Sequence, residues 1–256
     1  MIYGLYHSAA GMLTNEYRQS VLANNIANAD TAGFKRDVAA FAERLPARWA
    51  GERNGPSAVD MEGLSGGLWL GRTYTDFREG NKLDTGNPYD ITLDGPGFLA
   101  VQVDGQKLYT RDGRLARRYD GLLVAASDGA PILGRGGGSI RLNPQGGQPQ
   151  FDTQGRVIQD DAIVGELELV DFENYAALRK VGASRFAGPA RGGGAGVSAR
   201  QAPVLVQSGH LEGSGTEPLS ELVSMMEASH AYQLNARMVS LQDDSVGKLI
   251  NVVLRV

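Results

Sequence analysis

The sequence predicts an α+β protein: long N- and C-terminal helices pairing as a coiled coil, with a central all-β, hairpin-rich domain. Three observations carry this. The last 40 residues hold apolar positions at a 3.5-residue repeat, the first 27 hold a matching stripe, and Asp-Gly corners punctuate the middle. The divisions are an N-terminal helix over 1–34, a Gly-rich extended connector over 35–74, a β domain over 75–215 and a C-terminal helix over 216–256.

The C-terminal pattern is the strongest. Steps of three and four from Leu222 give Leu222, Met225, Ser229, Tyr232, Ala236, Val239, Asp243, Val246, Ile250 and Val253, eight of the ten apolar. Ser214-Gly215-Thr216-Glu217 has capping-box spacing, with Thr216 as N-cap and Pro218 in the first turn, the one place a helix accepts it. Leu219 to Leu254 contains no proline and a single glycine, Gly247. Such a helix is about 54 Å long at 1.5 Å per residue and needs a partner along its length.

The N-terminus offers that partner. Tyr6, Ala10, Leu13, Tyr17, Ser20, Asn24 and Ala27 follow the same spacing, with Ile2, Leu5, Ala9 and Met12 on a neighbouring stripe. The helix is expected to stop in Asn28-Ala29-Asp30-Thr31-Ala32-Gly33, where turn formers cluster and Gly33 can turn left-handed. Two helices bury one stripe each against one another, so a second stripe calls for neighbouring copies. The coiled-coil seam is assigned to Leu13, Tyr17, Leu222, Met225, Tyr232, Ala236, Val239, Val246, Ile250 and Val253.

In the middle, Asp-Gly stands at 94–95, 104–105, 112–113, 120–121 and 128–129, between short β-prone runs. Asp-Gly suits the two-residue type I′ hairpin, whose residues both need positive φ. A further strand is expected over 165–172, with Leu167, Leu169 and Asp171 on one face. Ala50–Gly71 and Gly188–Gly196 read as Gly-rich connectors.

Composition narrows the function. With 29 acidic and 25 basic residues, the net charge of −4 argues against nucleic acid as a partner. The chain has no cysteine, so disulfides, thiolate metal sites and thiol nucleophiles are excluded. No apolar run is long enough for membrane insertion, and the first residues lack the basic start of a cleaved leader.

No catalytic, cofactor-binding or metal site emerges. His7, His210 and His230 lack ligand spacing. Gly63-Leu64-Ser65-Gly66-Gly67 matches a nucleophile elbow, but lies in a Gly-rich connector without the strand and helix that motif requires. Arg111, Arg114, Arg117 and Arg118 read as a solvated basic strand face.

Ala23-Asn24-Asn25-Ile26-Ala27-Asn28-Ala29-Asp30-Thr31-Ala32-Gly33-Phe34-Lys35-Arg36 resembles the N-terminal signature of the bacterial flagellar basal-body rod and hook proteins. Leu211-Glu212-Gly213-Ser214, followed by Glu221–Tyr232 and Asn235–Val239, is similar to that family's C-terminal signature, although Gly215-Thr216-Glu217 replaces an Asn-Val-Asp-like run. Asp94–Val101, Tyr109–Leu115 and Gly129–Gly134 are similar to its central β region. The resemblance implies an assembly signature at Asn24, Asn25, Ala27, Asn28, Thr31, Gly33, Phe34 and Lys35.

It also implies a function: a structural, non-enzymatic subunit of the rod, a helical tube that carries torque from motor to hook and forms part of the export channel. The implied partners are copies of itself, other rod and hook proteins and the flagellar type III export apparatus. The implied location is the basal body, in the rod that spans the periplasm, reached without a cleaved signal peptide. Modest length and one β region separate the chain from hook-type members. The lack of an extra insertion favours the proximal over the distal rod type. Outside the resemblance, the alternatives are a secreted hydrolase using Ser65 with His210, or a β-rich binding module.

Overall fold

A computed structural model describes residues 2–43, 68–182, 184–188 and 199–253. The chain is α+β and divides into two compact units. One comprises residues 1–27, 37–74 and 217–256; the other comprises 28–36 and 75–216.

The first unit holds α1 (Ile2–Ala27), β1 (Asp37–Glu43), β2 (Leu68–Thr75) and α2 (Pro218–Val253). The strands β1 and β2 pair with one another. Most of the expected Ala50–Gly71 connector, including Ser65, lies outside the described residues. The helix α1 ends at Ala27, immediately before the turn formers, where Thr31 N–H donates to the Asn28 carbonyl at 3.2 Å. The helix α2 starts with Pro218 in its first turn, so Glu217 rather than Thr216 stands at the cap. The Glu217 carbonyl accepts from Glu221 N–H at 3.1 Å and its carboxylate from the Ser220 hydroxyl at 3.1 Å. Proline's fixed φ and missing N–H suit the first helical position, which moves the cap one residue on.

The second unit holds the β-structure. Its centre is a six-stranded antiparallel sheet, built from β5 (Phe98–Val103), β6 (Gln106–Thr110), β12 (Leu169–Phe172), β13 (Arg179–Lys180), β14 (Arg185–Ala187) and β15 (Ala199–Gln201). The strand order is β13-β14-β6-β5-β12-β15. Successive side chains of a strand point to opposite faces. Leu99 and Val101 thus enter a core with Ile91, Leu123, Ile132 and Val157, while Phe98 and Ala100 join Tyr109, Phe172 and Phe186 on the other face. Two covered faces explain why Phe98–Val101 is one continuous apolar run. Smaller ladders surround the sheet. They pair β7 (Leu115–Arg117) with β8 (Leu123–Ala125), and β10 (Arg156–Gln159) with β9 (Gln150–Phe151) and β11 (Ala162–Glu166). Two further pairs join distant parts of the chain: β16 (Leu205–Ser208) lies on β4 (Ile91–Asp94), and β17 (His210–Glu212) on β3 (Lys82–Asp84).

Of the five Asp-Gly pairs, Asp104-Gly105 is the two-residue corner, with φ of 49° and 76° between β5 and β6. Asp120-Gly121 lies in a longer loop, and Asp112-Gly113 turns no hairpin at all, because β6 and β7 pair with other strands. A second tight corner sits at Asp160-Asp161, with φ of 51° and 61°. The expected strand over 165–172 is broken at Leu167-Glu168 into β11 and β12. Asp171 is buried there, accepting hydrogen bonds from the Phe172 N–H and the Tyr175 hydroxyl, both at 2.8 Å.

Candidate functional site

In the first unit the two helices run antiparallel, and their contacts recur at seven-residue steps on α1 and at steps of six to eight residues on α2. Gly4 lies against Gln242, Gly11 against Asn235, Arg18 near Glu227, and Asn25 against Glu221. Ala228, one step from both Glu221 and Asn235, is fully buried. Glycine inside a helix costs about 1 kcal/mol relative to alanine. Close approach explains it: a Cβ at Gly11 would stand 2.9 Å from the Asn235 amide. The buried Ser8, Thr14, Leu22 and Asn25 lie on the same line of α1. The helix contact is therefore made mainly of small and polar side chains.

The apolar side chains are mostly elsewhere. Leu13 is 68% exposed and Leu241 60%, and Leu222, Met226, Leu234, Val246, Leu249 and Ile250 are exposed as well. Of the expected seam, Met225, Tyr232, Val239 and Val246 share the line of Ala228 and Gln242, whereas Leu222, Ala236 and Ile250 stand one position off it. Val253 closes α2, and its side chain lies outside what is described. Leu13 and Tyr17 face away from the Gly4–Gly11 line, beside Leu68 and Trp69 of β2, and the Tyr17 hydroxyl shares a hydrogen bond with that of Thr73.

At the end of α1, Asn25 is almost wholly buried and uses both ends of its amide. Its Oδ1 accepts from Asp37 N–H at 2.9 Å, and its Nδ2 donates to the Asp37 carbonyl at 2.8 Å and to Glu221 at 3.3 Å. Its neighbours Asn24 and Ala27 are exposed.

The second unit contains a buried charge cluster made from three distant segments. Lys35 Nζ donates to Glu212 Oε1 at 2.5 Å and to the Arg78 carbonyl at 2.7 Å, with Lys35 1% and Glu212 3% exposed. Arg111 Nη1 donates to the other carboxylate oxygen at 3.2 Å, and its Nη2 to the Gly95 carbonyl at 2.7 Å. Gly80 N–H adds a bond to Glu212 Oε1 at 3.1 Å. Burial pushes the Lys35 ammonium below the ordinary lysine value, while adjacent Glu212 pulls it back up. Arg111 is thus a core residue and not part of a solvated basic face. Arg114 and Arg118 pair with Asp112 and Asp120, and Arg117 binds the Asn143 carbonyl.

The rest of the assembly signature packs around this cluster. Asn28 and Thr31 bond to each other across the turn after α1. Gly33 has φ 64°, its N–H donates to the Glu212 carbonyl at 2.8 Å, and a Cβ there would run into the Arg111 carbonyl. Phe34 is buried, with the Lys180 ammonium 4.0 Å from its ring centroid. Sequence reasoning singled out Lys35 but left Arg111 and Glu212 unpaired. The available signal was that each charge stands inside one of the three similarity segments.

Among the described residues, no group of three or more His, Asp or Glu side chains could hold a metal ion, and no helix is long and apolar enough to cross a membrane.

Comparison with known proteins agrees in both signatures. A family model described as flagella basal body rod protein matches residues 5–35, and one described as flagellar basal body rod FlgEFG protein C-terminal matches 207–252. Flagellar basal-body rod protein FlgF of Caulobacter vibrioides is 32% identical over 236 residues, covering 92% of this chain and 91% of the relative. FlgG of Buchnera aphidicola subsp. Schizaphis graminum is 29% identical over 97% of this chain and 99% of its own. FlgG of Bacillus subtilis is 26% identical, at 98% and 99%. Similarity that runs the length of both chains, with a rod signature at either end, places this one: it belongs to the flagellar basal-body rod protein family and is a structural subunit of the rod.

Proposed function

We propose that this chain assembles with copies of itself and with other rod proteins into a helical tube. Residues 1–34 and 216–256 pair there as a coiled-coil inner layer, and 75–215 form an outer β layer. The tube carries torque from motor to hook, spans the periplasm and lines part of the export channel. The subunit reaches it through the flagellar type III apparatus.

The observation that carries this reading is the inversion in the helix pair. Small and polar residues meet between α1 and α2, while Leu13, Leu222, Met226, Leu241 and Ile250 are exposed. Fully burying one large apolar side chain contributes about 1.5–3 kcal/mol, so covering several partly exposed ones in a neighbour contact offsets part of the cost of docking a helix face. The antiparallel repeat of about seven residues supports coiled-coil pairing.

The test is Leu222→Asp or Leu241→Asp in a motile strain. Both positions are exposed in the free chain, so monomer stability should shift by no more than about 0.5 kcal/mol, while incorporation into basal bodies is lost. Normal motility and normal rods with either change would defeat the reading.

A further inference from the structure

The chain passes four times between its two units, at 27–28, 36–37, 74–75 and 216–217. Inside the β unit, the segments that flank all four passages are joined to one another. Gly33 N–H donates to the Glu212 carbonyl and Gly215 N–H to the Phe34 carbonyl, both at 2.8 Å. These bonds tie the segment after α1 to the segment before α2. Asp76 N–H donates to the Arg36 carbonyl at 2.9 Å, and Gly213 N–H to the Asn81 carbonyl at 2.7 Å, which ties the segment after β2 to the other two. A Cβ at Gly80 would stand 2.2 Å from the Gly213 carbonyl, so backbone lies directly on backbone here.

The buried charge cluster stands on the same three segments. Lys35 reaches both Glu212 and the Arg78 carbonyl, and Gly80 N–H adds its bond to the same carboxylate. Arg111 fixes the group to the body of the β unit, since it also donates to the Leu93 carbonyl at 3.2 Å and to the Gly95 carbonyl at 2.7 Å. Hydrogen bonds sealed in a low-dielectric interior are stronger than the same bonds in water. Separating any two of these segments breaks several of them. A force that travels along the backbone from the helical unit can enter the β unit only at one of the four passages, and all four are rooted here.

We infer that these three segments, locked together by Glu212, are a mechanical anchor. Load carried along the backbone enters the β unit at this point and passes through Arg111 into the β core instead of peeling the connecting segments away one by one. The purpose of the anchor rests on the torque-carrying reading above, whereas the anchor itself is a property of the single chain.

The test pulls single full-length chains through engineered cysteines, which a cysteine-free sequence allows without background. Asp30→Cys with Glu217→Cys loads the anchor, and Tyr119→Cys with Ile163→Cys loads the β unit away from it; all four positions are exposed. Forced unfolding is governed by the unfolding rate along the pulled direction. At constant force, Glu212→Gln should shorten the folded lifetime at least tenfold through the first pair of handles, because it strips two buried cations of their counter-charge. The lifetime through the second pair should stay nearly unchanged. Lys35→Met keeps the Arg111–Glu212 pair and should act in the same direction but more weakly, so it serves if Glu212→Gln does not fold. The length released on unfolding shows that each molecule was folded before loading. Equal shortening along both directions would reduce the cluster to ordinary core stability and overturn the anchor, as would an unchanged lifetime through the first pair. Neither result touches the assembly reading, which stands or falls on the Leu222→Asp and Leu241→Asp strains.

Discussion

Lys35 Nζ lies 2.5 Å from Glu212 Oε1, although the two residues are 177 positions apart and both side chains are sealed from water. Arg111 holds the second carboxylate oxygen, so one buried anion serves two buried cations. The residues that follow α1, those that precede α2 and the strand region after β6 are tied at this single point.

Removing the shared anion should therefore be costly. Glu212→Gln leaves two buried cations without a counter-charge, and breaking such a pair typically costs about 3–5 kcal/mol. Urea unfolding followed by tyrosine fluorescence should show the midpoint falling with an unchanged slope. A loss under about 1 kcal/mol would mean that water reaches the cluster.

Gly33 supports the cluster from the backbone. Its φ of 64° alone costs a side-chain-bearing residue about 1–3 kcal/mol, and the collision with the Arg111 carbonyl adds to that. Gly33→Asn should fail as Gly33→Ala does, because asparagine tolerates the angle but still brings a Cβ. At Gly86, with φ 63° and nothing within 4 Å, Gly86→Asn should be nearly silent. Thermal melting of the three variants distinguishes the collision from the angle.

In the helical unit, Asn25→Ala should cost about 1–3 kcal/mol, since it removes two hydrogen bonds to the Asp37 backbone and one to the Glu221 carboxylate. The Asp37 amide should then exchange its hydrogen much faster, as read by mass spectrometry. Unchanged protection there would remove Asn25 from the account.

Acid should weaken the β unit partly through Asp76. Hydrogen bonds from Arg78, with help from Arg36, hold its carboxyl at about 2, below the ordinary 3.8. A depressed folded-state value stabilises the fold above about pH 4, and that contribution disappears as pH falls towards 2. Unfolding curves of the parent and Asp76→Asn should therefore converge between pH 4 and 2. A constant gap across that window would contradict it.

Much of this architecture is legible in the chain. The C-terminal helix expected over 216–256 is found at Pro218–Val253, and α1 stops where the turn formers begin. The line of α1 that faces α2 is not legible, because a search for apolar periodicity passes over Gly4, Ser8, Gly11, Thr14 and Asn25. Those residues are chosen for close approach and hydrogen bonding, not hydrophobicity. The pairings of β16 with β4 and β17 with β3 are equally hidden, since they join residues more than a hundred positions apart. The burial of Arg111 follows from them: only once β17 delivers Glu212 does a buried cation have its partner.

The proposed assembly requires that the apolar face of α2 be open in the free subunit and covered in the rod. A single cysteine reporter at Leu241→Cys, labelled with maleimide first as purified monomer and then in isolated basal bodies, tests it most directly. Rapid labelling of the monomer and protection of at least tenfold in the rod are expected. Equal labelling in both states would mean that no neighbour covers that face, and the assembly reading would fall with it.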